Sequence, residues 1–220
     1  MKKAFTMLEL VFVIVIVGIL SYFVSSSFQR NPLREAADQV VSHIRYTQHL
    51  AMIDDKFDPN DARFKSNPNY SASHNGEWYK EFWRMRFYTV SGIVYYVVFT
   101  DKDRNGNVDT TTHTEPAIDP LSSKYLFVGN TPSDSRNNNK MDLTTRFGIT
   151  SVTASCDAGY LDFFFDNLGR PYVNSVAANP APYSGLLRND CNITLANATQ
   201  NVTITIVPET GYTYISAQNY

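Results

Sequence analysis

Hydrophobic residues open the chain as one block and thereafter recur periodically. From Phe5 to Val24 only Glu9 is charged, and a helix of that length reaches about 30 Å, the hydrocarbon thickness of a bilayer. The pattern predicts a membrane-spanning helix over 5–24. Lys2 and Lys3 just before it favour a cytoplasmic N-terminus. Apolar positions then return at Leu33, Ala37, Val40, Ile44, Thr47 and Ala51, the stripe of an amphipathic helix. That stripe predicts a helical continuation over 25–55, with a kink or restart at Pro32, which cannot donate a helix hydrogen bond.

Beyond residue 55 the period changes from helix to strand. Asp54 to Gly76 is polar and rich in Asn, Asp, Ser and Pro, a long loop. Trp78 to Val90 alternates, with Trp83, Met85 and Phe87 on one face and Arg84, Arg86 and Tyr88 on the other. Ser91-Gly92 is a two-residue turn, and Ile93 to Phe99 is the returning strand of a hairpin. Further strands are expected at Tyr125–Val128, Phe147–Val152, Leu161–Phe165, Asn192–Ala196, Val202–Val207 and Tyr212–Ile215. This order predicts an α+β fold: one long N-terminal helix, membrane-spanning in its first half and amphipathic in its second, packed on an antiparallel β-sheet domain over 56–220.

A length of 220 residues accommodates one domain and an anchor. A formal net charge of −2 argues neither for nor against a nucleic-acid partner; there is no basic block, and no nucleic acid is expected under the main reading. Cys156 and Cys191 both lie beyond the apolar block, in the compartment where disulfides form, and a Cys156–Cys191 bridge is expected. No Gly-x-Ser-x-Gly, His-Glu-x-x-His, Walker or dinucleotide fingerprint occurs, so the chain reads as non-enzymatic. His43 and His49, six apart, fall on different helical faces and read as solvated surface residues.

Glu9 is costly within an apolar run, about 2.5–3.5 kcal/mol on insertion scales, and so calls for a partner or a task. The stretch Ala4-Phe5-Thr6-Met7-Leu8-Glu9 resembles the leader of the type IV pilin and pseudopilin family. Ala4 stands where that family usually has glycine. The resemblance implies a leader peptide over 1–4, cut between Ala4 and Phe5 by a prepilin peptidase, N-methylation of Phe5, and an assembly role for Glu9. Phe164-Phe165-Asp166-Asn167-Leu168-Gly169-Arg170-Pro171 and the later Val207-Pro208-Glu209-Thr210-Gly211-Tyr212 look like the minor pseudopilins of type II secretion systems. The same likeness implies a structural subunit of a helical filament or tip complex, its partners being other pilin-like subunits, the peptidase and the inner membrane. It also implies single-pass insertion, with the C-terminal domain in the periplasm. A minor type IV pilin or DNA-uptake pseudopilin with a binding role is the alternative.

One loop carries candidate metal chemistry. Asp101, Asp103, Asn105, Asn107 and Asp109, with Gly106 at the sixth position, match the first part of an EF-hand calcium loop. Calcium takes six to eight oxygens, and alternating side chains on a tight loop can supply them. Thr112 stands where the bidentate glutamate belongs, leaving Glu115 or Asp119 to close the site. An Asx-rich hairpin turn is the competing reading, because Asn-Gly is a turn signal by itself. Finally, Asp190-Cys191-Asn192-Ile193-Thr194 holds an Asn-x-Thr glycan acceptor with an acidic residue two positions ahead of it. Asn192 also reads simply as the first residue of a strand.

Overall fold

The apolar stripe of the second helix organises the fold. A computed structural model describes residues 6–27, 31–58, 77–109, 113–128, 134–156, 159, 161–173 and 181–219, with side chains left out over 24–27. Helix α1 covers Met7–Ser27 and helix α2 covers Pro32–Ile53. Proline at the first position of α2 loses no bond, since the opening N–H groups of a helix lack intrahelical partners anyway. Leu33, Ala37, Val40, Ile44, Thr47 and Ala51 are all buried, joined by Ala36 and Val41. Burying each larger member contributes about 1.5–3 kcal/mol.

The strands are β1 (Arg84–Val90), β2 (Ile93–Phe99), β3 (Ser151–Ala154), β4 (Asp162–Phe165), β5 (Pro171–Val173), β6 (Cys191–Ala196), β7 (Asn201–Ile206) and β8 (Thr213–Asn219). They form two antiparallel four-stranded sheets, ordered β2-β1-β4-β5 and β3-β6-β7-β8. Helix α2 packs against β1 and β4 of the first sheet and β6, β7 and β8 of the second. A short helix α3 (Leu143–Phe147) is capped by Asp142, whose side chain accepts from Thr145 N–H at 2.7 Å. The β1–β2 turn places Ser91 and Gly92 at φ 52° and 79°, the paired positive values of a type I′ hairpin.

Several expectations require correction. The chain divides into Met1–Asn31 and Pro32–Tyr220, and both sheets belong to the second unit together with α2. The expected single long helix packed on one sheet is therefore replaced, within the second unit, by α2 packed on two sheets. Among the described residues no helix is long and apolar enough to cross a membrane. This overturns the single-pass span over 5–24 and the inner-membrane placement that rested on it.

Corrections among the strands are smaller. Tyr125 makes only isolated bridges, to Ile118 and Asn137, because that segment lies along the edge of β2 without forming a ladder of its own. Phe147 closes α3, and the strand expected there begins later, at Ser151. β5 falls where a turn was expected to end, and β8 runs on to Asn219. The Cys156–Cys191 disulfide is present, with Cα atoms 5.1 Å apart, and ties the chain just after β3 to the start of β6.

Candidate metal centre

Strand β2 delivers the loop. Past Phe99, Thr100 is held on both sides: its N–H donates to Glu115 O at 3.1 Å and its hydroxyl to Glu81 O at 2.6 Å. Asp101 comes next, with no exposed surface. Its Oδ1 accepts from Asn105 N–H at 3.1 Å and its Oδ2 from Gly106 N–H at 2.9 Å. These bonds curl the chain back on itself, and the curl needs Arg104 and Gly106 at φ 59° and 84°. Glycine takes the second of these values without strain. Arg104 is locked by a buried ion pair with Glu81, at 2.8 and 3.1 Å.

Glu115 closes the loop from across its base. Its Oε1 accepts from the N–H groups of Lys102 at 2.8 Å and Asp103 at 3.4 Å, and its Oε2 accepts from Asp109 N–H at 2.6 Å. Carboxylate oxygens of Asp101, Asp103 and Glu115 lie within 4.8 Å of one another. Asp101 and Glu115 are buried, whereas Asp103 is exposed at the mouth. Burial pushes the Asp101 carboxyl up to about 7, against the opposing pull of Arg84 and with a further rise from Asp103 and Glu115. Burial raises Glu115 as well, opposed by the N–H groups it accepts from.

Behind the loop stands a buried charge array whose members alternation assigns to a polar face. Arg84 has no exposed side-chain surface and lies 3.8 Å from both Asp101 and Asp162. Its guanidinium sits over the rings of Phe99 and Phe164, and it donates to Lys80 O. Arg86 pairs with Asp162 at 2.6 Å and donates to Gly106 O at 2.8 Å, pinning the loop to β1. Alternation alone gives Arg84 and Arg86 a common face, but not that the face is covered. The carboxylates of Glu81, Asp101, Asp103, Glu115 and Asp162 outnumber the guanidiniums of Arg84, Arg86 and Arg104, so a cation at the mouth would lower the cost of the cluster.

The expected ligand set is thus partly assembled. Asp101 and Asp103 meet, and Glu115 is the residue that closes the group. Asp119 is elsewhere, accepting from Leu121 N–H at 3.0 Å and Ser122 Oγ at 2.6 Å. Asn105 turns its amide to Asp103 Oδ2 at 2.6 Å and accepts from Asn107 N–H at 2.7 Å, so these two close the loop itself. Asp109 meets the cluster through its backbone N–H. Thr112 lies outside the described residues. The donors present are oxygens only, with one carboxylate open to solvent, which fits a hard cation such as calcium.

Of the leader residues, Ala4 and Phe5 lie outside the described residues. Glu9 does have a partner. Its Oε2 accepts from Thr6 N–H and Thr6 Oγ1, both at 3.2 Å, and Thr6 Oγ1 accepts from Glu9 N–H at 3.3 Å. Thr6-Met7-Leu8-Glu9 is therefore a capping box that starts α1. His43 is not the solvated residue expected: its Nδ1 meets Tyr96 OH at 2.7 Å, and Gln39 Nε2 donates to the same hydroxyl at 2.6 Å. Burial lowers the His43 pKa to about 4. His49 is exposed, as expected.

The chain matches no family model, no curated protein and no solved structure.

Proposed function

We propose that this chain is a structural, non-catalytic subunit of a pilin-like filament, of the minor pseudopilin kind, cut between Ala4 and Phe5 by a prepilin peptidase. One observation carries the reading beyond the leader itself: α1 is apolar all round. Leu10, Phe12, Ile14, Val17, Leu20 and Phe23 point in every direction and are all exposed. A helix with no polar side has to be covered by apolar surface. The α1 helices of neighbouring pilin-like subunits are that cover in the proposed filament, packed through contacts that repeat without closing. Glu9, which caps its own helix in the single chain, would there face the methylated amine of Phe5.

The Asp101–Asp109 loop takes a structural cation in this reading, calcium by its oxygen donors, held by Asp101, Asp103 and Glu115. Such an ion would supply charge to the buried carboxylates and stiffen the end of the β1–β2 hairpin. Supporting it are the excess of carboxylate over guanidinium around the loop and the convergence of the three carboxylates within 4.8 Å.

The experiment is co-expression with a prepilin peptidase, with mass spectrometry of the N-terminal peptide. A mature methyl-Phe5 terminus and co-purification with other pilin-like subunits are expected. A retained Met1, or a cut near Ser25, refutes the reading.

A further inference from the structure

The hairpin of β6 and β7 carries three Asn-x-Thr triplets in succession: Asn192-Ile193-Thr194, Asn197-Ala198-Thr199 and Asn201-Val202-Thr203. Such a triplet accepts an N-linked glycan when its carboxamide and hydroxyl can enter a transferase together. The fold treats the three differently.

Asn192 and Asn201 sit inside the ladder. Asn192 lies opposite Thr205 and Asn201 opposite both Ala196 and Asn219. Asn192 donates its N–H to Ser155 Oγ at 3.0 Å, and its Oδ1 accepts from Thr205 Oγ1 at 2.7 Å. Asn201 Oδ1 accepts from Asn219 Nδ2 at 3.2 Å. The hydroxyls that complete these two triplets, Thr194 and Thr203, face each other across the ladder at 3.4 Å. Each is therefore engaged with the opposite strand and not with its own asparagine. Cys191, beside Asn192, is buried in the disulfide.

Asn197 is in the connecting turn. Its N–H donates to Gln200 O at 3.0 Å, closing the hairpin. Its Oδ1 accepts from Thr199 N–H at 3.0 Å, Thr199 Oγ1 at 3.4 Å and Gln200 N–H at 2.8 Å. Carboxamide and hydroxyl of this triplet are thus already folded onto each other, and Ala198 and Thr199 are exposed. Among the described residues Asn197 Nδ2 has no acceptor. Three donors on the carbonyl oxygen draw electron density toward it, which makes the remaining N–H easier to deprotonate.

We propose that Asn197 is an N-glycan acceptor, used by a transferase that reads the plain Asn-x-Thr triplet. The donor class is a sugar carried on a lipid diphosphate. Asn197 Nδ2 bonds to the anomeric carbon, the bond from that carbon to the diphosphate oxygen breaks, and the lipid diphosphate leaves with the electron pair. The nitrogen gives up one proton to a base of the transferase. This assignment is independent of the filament reading, and it moves the acceptor from the strand residue Asn192 to the turn.

The test is intact-mass and glycopeptide analysis of the full chain, made in a host that modifies a control Asn-x-Thr substrate. The expected result is one glycan, mapped to Asn197, lost in Asn197→Gln and Thr199→Val, kept in Thr199→Ser, and kept in Asn192→Gln and Asn201→Gln. Intact mass reads the outcome whether or not a variant folds. An unmodified wild-type mass overturns the assignment. So does a glycan that survives Asn197→Gln or maps to Asn192, to Asn201 or to Asn69 of the Asn69-Tyr70-Ser71 triplet. Modification at Asn192 alone would mean that the acidic residue at Asp190, rather than the turn, selects the site.

Discussion

The guanidinium of Arg84 lies 3.8 Å from the carboxylate of Asp101, and neither side chain has any exposed surface. A buried pair of this kind does not by itself add much stability, but removing one partner leaves the other charged and alone. Arg84 also faces Asp162, which keeps Arg86 at 2.6 Å, so Arg84→Met takes the guanidinium chiefly from Asp101. The expected loss is about 3–5 kcal/mol, read as a fall in the denaturant midpoint. Arg84→Met combined with Asp101→Asn should lose less than the sum of the single changes. Additive losses would mean that the two groups are not coupled.

A buried group and a half-buried one set opposing pH dependences. Asp101 has its folded pKa raised from 3.8 to about 7, so its folded state holds the proton more tightly. Its contribution is fully present below pH 3.8 and is lost as pH rises towards 7. His43 has its folded pKa lowered from 6.5 to about 4, so its contribution is present above pH 6.5 and is lost as pH falls towards 4. Each slope is about 1.4 kcal/mol per pH unit, of opposite sign over nearly the same window. Asp101→Asn should therefore make stability fall more steeply on acidification than in the wild type, and His43→Gln should make it fall less steeply or rise. Urea midpoints between pH 4 and 7 read both. Parallel curves for all three proteins would contradict the assignment.

Calcium should raise the melting temperature in proportion to the logarithm of its concentration over its dissociation constant, expected at about 10⁻⁴–10⁻³ M. Asp101→Ala with Asp103→Ala, or Glu115→Gln alone, should remove the gain. Magnesium should replace calcium poorly, since it demands stricter octahedral geometry. Calcium should also remove the Asp101 limb of the pH profile, because a bound carboxylate no longer takes up its proton near 7. A melting curve indifferent to calcium at about ten times these concentrations leaves an Asx turn and no metal site.

Gly211 tests how closely the turns pack on α2. Gln48 Nε2 donates to Gly169 O at 2.8 Å and to Thr210 O at 2.7 Å, clamping two turns with one amide. Gly211 has φ +64°, and a Cβ there would stand 2.5 Å from Gln48 Nε2 and 2.6 Å from Gly169 O. Gly92 has φ +79° but nothing within 4 Å of the same added atom. Gly92→Ala should cost about 1–2 kcal/mol, the conformational term alone. Gly211→Ala should cost clearly more, because backbone must move as well. Equal losses in urea unfolding would show that the turn relaxes freely.

Local chemistry was legible in the chain itself. The α2 stripe, the Ser91-Gly92 hairpin and the β6 and β7 strands stem from period and turn residues, each decided within a few residues, and the chain's two cysteines form the expected bridge. The candidate loop was half legible: Asp101 and Asp103 share a short turn, so spacing alone brought them together. Tertiary structure decided the rest. Glu115 and Asp119 were both in view to close the site, and the return of the chain alongside β2 decided for Glu115. His43 read as a solvated residue, and Arg84 only as sharing a face with Arg86, because periodicity reports which side a residue occupies and not whether that side is covered. The membrane span was read from hydropathy along the chain, and among the described residues no helix is long and apolar enough to cross a membrane. Within the second unit, tertiary structure also decided that α2 is shared by two sheets and not laid on one.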